Sequence, residues 1–172
     1  ERLLPVLSQE GEEAVSDQTL ALLSLQNGNI LSEELLQEAN RLYADAEDEL
    51  LRSQALTYLA KNEKDDALVR AALEDPSSEL QKTAIDLLTN ADDLTPVALE
   101  SLSEYLEDPN RSAESRAAAA FGLDSHRVSN NAIDESFQSL VEDLKKSGET
   151  SPTATTAELL ETLEVLLGDP IE

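Results

Sequence analysis

The chain has 172 residues and a strongly acidic composition, with 37 Asp and Glu against 12 Lys and Arg and a formal net charge of -25. This charge repels phosphate backbones and anionic lipids, so we expect no nucleic-acid partner. No apolar run approaches the ~20 residues that a membrane span needs, so we also expect no membrane insertion. Only 5 Gly and 6 Pro are present, too few for the many turns of short strands. We therefore predict a soluble all-α protein.

The composition leaves the cellular compartment open. The acidity fits either a salty environment, in which a hydrated charged surface keeps a protein in solution, or an ordinary acidic protein. The absence of cysteine excludes disulfides and Cys-based metal sites without separating an exported protein from a cytoplasmic one. Because residue 1 is Glu, we expect a processed or excised chain, either exported after removal of a leader or cytoplasmic.

Cap and stop signals divide the chain into predicted helices. Ser32 and Thr95 are predicted N-caps, and Ser78 is a third, with Gln81 completing a capping box. Gly28 is predicted to end a helix with positive φ. Ten helices in five antiparallel pairs result: 3–9 with 12–26, 33–46 with 48–62, 66–74 with the helix after Ser78, 96–107 with 113–124, and 131–146 with 152–167. Polar connections are predicted over 125–130 and 147–150.

Three of the predicted second helices fit one nine-residue template, with Ala at the fifth position and Leu at the ninth. They are 51–59, 80–88 and 115–123, and weaker copies occur at 15–23 and 152–160. The first positions of the three lie 29 and 35 residues apart, a spacing that is typical of stacked two-helix units. Because each hairpin has an apolar face that only a neighbour can cover, we predict that stacking supplies the core.

The turns before these helices resemble those of HEAT repeats, in which Leu-x-Asp-Pro precedes a second helix carrying Arg, Ala and Leu. The matching segments are Leu73-Glu74-Asp75-Pro76 with Gln81 in place of Arg, Leu106-Glu107-Asp108-Pro109 with Arg116, and Leu42-Tyr43-Ala44-Asp45 with Arg52 but no Pro. The resemblance is clearest over 42–124. It implies an α-solenoid of about five helix pairs, a HEAT- or armadillo-like superhelix, as one domain over 1–172.

The resemblance also implies roles for residues. In this family the turn Asp and the helix Arg tend to form a ladder between repeats. The corresponding residues here are Asp45, Arg52, Asp75, Asp108 and Arg116, a ladder that Gln81 interrupts. Family members mostly bind proteins, and a few are enzymes or enzyme subunits. We therefore expect a monomeric, non-enzymatic scaffold that binds a protein or peptide on its concave face, through a basic or weakly charged segment.

A candidate binding row follows from helix geometry. Positions three and seven of the template lie four residues apart, on a face other than that of the packed positions one, five and nine. The row consists of Ser53, Thr57, Lys82, Asp86, Ala117 and Phe121. The resemblance places second helices on the concave surface. Phe121, beside four alanines and Gly122, either anchors a partner or belongs to the core.

The residues offer little for catalysis or metal binding. His126 is the single histidine, which excludes a metal site built from several His ligands, and we predict that it lies in a surface loop. The acidic clusters at 45–49, 65–66 and 92–93 do not fit an EF-hand loop, so no metal or cofactor is expected. Two alternatives stay open: a catalytic or enzyme-accessory module acting on a small substrate near His126, and a structural spacer in a longer chain.

Overall fold

The computed structural model describes residues 3–63, 66–90, 95–108, 110–127 and 131–150, together with 157, 160, 161, 163 and 168. Within these residues every regular element is helical, which confirms the prediction of an all-α protein. The α-helices are α1 (Leu4–Leu7), α2 (Val15–Gly28), α3 (Glu33–Asp45), α4 (Glu49–Glu63), α5 (Asp66–Ala72), α6 (Ser78–Thr89), α7 (Pro96–Glu107), α8 (Ala113–Arg127) and α9 (Asn131–Thr150), and a 3₁₀ helix (Glu12–Ala14) precedes α2. No helix in the described part is long and apolar enough to cross a membrane.

Side-chain caps explain where several helices begin. Ser32 caps α3 and Thr95 caps α7, as predicted, and each side-chain oxygen accepts the N–H three residues further on, at 3.3 and 3.1 Å. The predicted cap Ser78 is wrong by one residue. Ser77 caps α6 instead, because its hydroxyl accepts the N–H of Leu80 at 3.3 Å and Ser78 is already helical.

The turn after α2 is closed by Asn rather than Gly. Gly28 is the last residue of α2, and the left-handed conformation belongs to Asn29, with φ of 50°. Asn is the non-glycine residue that adopts this conformation most readily, so the prediction for Gly28 fails by one residue. The buried Tyr58 then donates its hydroxyl to the Ile30 carbonyl at 2.9 Å, which ties this turn to α4.

Two helices are longer than predicted. α8 continues over 125–127 and α9 over 147–150, where we predicted polar connections. Neither stretch contains proline, so the helix can continue and keep its backbone groups paired internally. The helix predicted over 152–167 lies outside the described residues, apart from 157, 160, 161 and 163, which are helical.

The chain divides into two compact units, residues 1–87 and residues 88–172. In the first unit, α1 packs on α2 and α3, while α4 packs on α2, α3 and α5. In the second unit, α7, α8 and α9 pack against one another. Each unit has its own buried apolar side chains, such as Leu22 and Leu59 in the first and Leu106 and Phe137 in the second. The single domain over 1–172 stays a prediction.

The fifth and ninth template positions are buried, as predicted. These side chains are at most 3% exposed: Ala55, Ala84, Ala119, Leu59, Leu88 and Leu123. Position six is equally buried, which was not predicted: Leu56, Ile85 and Ala120. Positions five, six and nine together form a wider apolar face than positions one, five and nine alone. Each second helix is therefore covered over more of its circumference than the template implied.

Candidate functional site

The predicted binding row is only partly exposed in the first unit. Lys82 and Asp86 are exposed on α6, and Thr57 is half-buried on α4. Ser53 is only 3% exposed, and its hydroxyl lies 3.0 Å from that of Thr83, so it joins α4 to α6. Ser53 is therefore a contact between helices and is not available to a partner.

In the second unit the row contributes Phe121, which is 39% exposed on α8, while Ala117 is fully buried. Several of the small residues next to this ring in the sequence are buried. Ala119 and Ala120 are fully buried as well, and a β-carbon added to Gly122 would lie 2.6 Å from the Cβ of Thr89. The small side chains therefore allow close packing, and the Phe121 ring is partly exposed beside them.

Two of the ladder residues, Arg52 and Asp75, form an ion pair. Arg52 donates from a terminal nitrogen to the Asp75 carboxylate at 2.6 Å, and from Nε to the Tyr43 carbonyl at 3.0 Å. The guanidinium also lies over the Tyr43 ring, 5.7 Å from its centre. Burial, followed by the charge of Asp75, raises the pKa of Tyr43. Arg52 thus links the end of α3 to the turn that precedes α6.

Arg116 repeats this arrangement with a different acid. Its Nε donates to the Leu106 carbonyl at 2.7 Å and a terminal nitrogen donates to the Asp143 carboxylate at 2.9 Å. Arg116 is 4% exposed, so almost the whole side chain lies between α7, α8 and α9. The family pattern had pointed to Asp108 rather than Asp143 as the ladder acid of this region.

The other two ladder aspartates lie at the C-terminal ends of α3 and α7. Asp108 accepts the N–H of Asn110 at 2.9 Å and the Nε of Arg111 at 3.1 Å. The backbone hydrogen bond from Asn110 is the main reason that the pKa of Asp108 lies below its usual value. Asp45 is exposed at the C-terminal end of α3. A match to the turn Asp of the family pattern does not by itself place these two carboxylates against a ladder arginine.

Gln81 occupies the same template position as the two arginines and makes the equivalent contact without charge. Its Nε2 donates to the Asp75 carbonyl at 2.7 Å. In all three template helices the second residue therefore reaches back to a carbonyl at or just beyond the end of the preceding helix. We call these contacts the position-two tethers: Arg52 to Tyr43, Gln81 to Asp75, and Arg116 to Leu106.

The structure describes His126 and the acidic clusters only in part. His126 lies in the last turn of α8 rather than in a loop, and its side chain is outside the described residues. Asp66 pairs with Arg70 at 3.7 Å on α5, while Asp65 and residues 92–93 also lie outside the described part. Where side chains are described, no group of three His, Asp or Glu is arranged to hold a metal ion.

A cleft of about 740 Å³ in the first unit was not predicted. The turn after α1, the start of α2, the end of α3 and the α3–α4 turn form its walls. Its charged and apolar lining includes Glu10, Asp45, Glu47, Asp48, Arg41, Val15, Leu42 and Leu51. From the sequence we expect no metal at the acidic cluster 45–49, and the structure makes residues 45–48 one wall of the cleft. No sequence signal places Glu10 opposite that turn, because the pairing depends on how α1 packs against α3.

Buried hydrogen bonds hold the walls of this cleft. Gln18, 4% exposed, donates from Nε2 to the carbonyls of Leu7 and Gln9, both at 2.8 Å. Arg41 donates to the same Leu7 carbonyl at 3.3 Å, and its Nε donates to Glu38 at 2.8 Å. The end of α1 is thereby fastened to α2 and α3, and the guanidinium is already engaged by acceptors of the protein.

A shallow depression of about 430 Å³ adjoins the cleft. Leu20 of α2 and Leu50 of α4 line it and are 60% and 51% exposed, respectively. Val15 and Asp48 line both the cleft and the depression, so the two are continuous. We call them together the acidic–apolar surface.

The sequence matches no protein-family model, and comparison with curated proteins and with solved structures found no match. Function therefore has to be inferred from the residues and geometry of this chain.

Proposed function

We propose that this chain is a HEAT-like helical-repeat scaffold that binds a protein or peptide and has no enzymatic activity of its own. The observation that carries the proposal is the recurrence of the position-two tether in three helices that share one template. A contact that recurs with the template supports a repeated two-helix unit. Repeated helical units present extended surfaces, and the family that the turns resemble acts mostly in protein binding.

Neighbour contacts within the first unit support stacking of such units into a solenoid. α1 packs on α3, both first helices of predicted pairs, and α2 packs on α4, both second helices. The hydrogen bond between Ser53 and Thr83 joins α4 to α6 in the same way. A solenoid needs like helices of consecutive pairs to lie side by side, and these contacts within the first unit support the proposal.

Small-angle X-ray scattering tests the solenoid directly. A compact domain of this length would have a radius of gyration of ~16 Å, and we expect a clearly larger value. The measurement needs a concentration series at about 0.15 M salt, where the Debye length is about 8 Å, because a net charge of -25 causes repulsion between molecules. A radius at or below that of a compact domain would indicate a closed bundle.

Phe121→Ala tests whether the exposed ring binds a partner. Because Phe121 is 39% exposed, we expect a modest loss of unfolding free energy, about 1–2 kcal/mol, and weaker partner capture by a similar amount. The matched control is Phe137→Ala in α9, which removes a ring that is 0% exposed and should cost about 3–5 kcal/mol. Thermal melting separates the two variants before a partner is known. Equal losses would mean that Phe121 is a core residue.

A further inference from the structure

We propose that the acidic–apolar surface of the first unit binds a basic segment of a partner protein. The segment would place Lys or Arg side chains in the cleft and one apolar side chain in the depression. This inference rests on the proposed protein-binding function and assigns to it a site and a partner chemistry.

The charge of the cleft selects the sign of the partner. Four carboxylates line it, from Glu10, Asp45, Glu47 and Asp48, against the single guanidinium of Arg41. Arg41 already donates to Glu38 and to a main-chain carbonyl, so its charge is partly compensated within the protein. A Lys or Arg side chain entering the cleft would form charge-assisted hydrogen bonds with the carboxylates that line it, whereas an acidic group would be repelled.

The depression supplies an apolar contact next to this charge. Leu20 and Leu50 are 60% and 51% exposed although they project from two helices that pack on each other. Both line the same depression, so one apolar side chain of a partner can cover them together. Val15 and Asp48 belong to both parts of the surface, so a short segment with adjacent basic and apolar residues can occupy both at once.

The same charges disfavour a second copy of this chain as the occupant. A self-complementary interface would bring the carboxylates of two identical surfaces close together, and each chain carries a net charge of -25. The negative charge of the chain attracts a basic segment at long range as well as in contact. This attraction raises the rate of association and makes that rate sensitive to salt. Charge complementarity therefore favours a basic partner.

Fluorescence anisotropy with synthetic peptides and the full chain tests the inference. The probes are a short labelled peptide of Lys and Leu, the same peptide with Ser in place of Leu, and the same peptide with Glu in place of Lys. At near-physiological salt we expect the first to bind, the second to bind about tenfold more weakly, and the third not to bind. Equal binding of the first two would reflect net charge alone and would overturn the proposal.

Single substitutions then locate the binding. Leu50→Ser, Leu20→Ser and Glu47→Gln should each weaken binding of the Lys and Leu peptide by roughly 3- to 10-fold. Matched controls are Leu31→Ser, in which Leu31 is 54% exposed, and Glu33→Gln, both near the opposite end of α3 from the cleft. The controls should leave binding unchanged. All five side chains are exposed, and melting curves check that each variant is folded.

Three further outcomes test this site and the general function separately. Concentration-dependent dimers that Leu50→Ser abolishes would show that a second copy occupies the surface, and would overturn the proposal. If a captured protein partner binds Leu50→Ser and Glu47→Gln as tightly as the wild type, this site is wrong while the scaffold function stands. If the wild type binds neither the peptide nor any protein partner, the scaffold function itself fails.

Discussion

Arg116→Ala is expected to lower the free energy of unfolding by about 3 kcal/mol. The substitution leaves the Leu106 carbonyl without its 2.7 Å donor and removes a side chain that is 4% exposed. The loss of unfolding free energy should fall at the lower end of the range for broken buried ion pairs. The reason is that the Asp143 side chain is 40% exposed, so its carboxylate stays solvated when Arg116 is removed. Urea denaturation followed by circular dichroism measures the change.

Arg116→Gln is the informative companion variant. Because Gln81 makes the same tether with an amide, Gln at position 116 should keep the contact with the Leu106 carbonyl and lose only the Asp143 pair. We expect a loss of about 1 kcal/mol. On this background Asp143→Asn should add almost nothing, since the pair is already broken. If Arg116→Gln and Arg116→Ala were equally destabilising, the position-two tether would not be a common feature of the repeats.

Ala84→Leu is expected to destabilise the first unit by about 1–3 kcal/mol. Ala84 is 0% exposed at the fifth template position of α6. The roughly three carbon atoms that leucine adds therefore have no space unless a neighbouring side chain is displaced. Lys82→Ala is the control on the exposed face of the same helix and should change stability by less than about 0.5 kcal/mol. Similar melting losses for both variants would contradict the assignment of the two faces.

Local sequence signals predicted the elements well where they depend on neighbouring residues. Ser32 and Thr95 cap helices because a cap is made within four residues, and Ala84 and Leu88 are buried because helical periodicity is local. The failures at Gly28 and Ser78 are shifts of one residue. In each case an adjacent residue, Asn or Ser, could perform the same role and did.

Contacts between residues that are far apart in the chain were harder to predict from the sequence. The acid that binds Arg116 lies 27 residues away on α9, and no local pattern distinguishes it from the other carboxylates of that helix. Asp108, which the family pattern favoured, is satisfied within its own turn by Asn110 and Arg111. Arg52, by contrast, contacts Asp75 within the best-matched part of the repeat pattern.

The sequence by itself determined that this protein is helical, acidic and built with a recurring Ala and Leu face, since composition and 3.6-residue periodicity are properties of the chain alone. The tertiary structure decided which side chains stay exposed. Packing along α8 buries Ala117 and leaves Phe121, one turn further on in the same row, partly exposed. The packing of α1 on α3 and of α2 on α4 brings Glu10 to Glu47 and Leu20 to Leu50, because surfaces of this kind are assembled from residues that only folding makes neighbours.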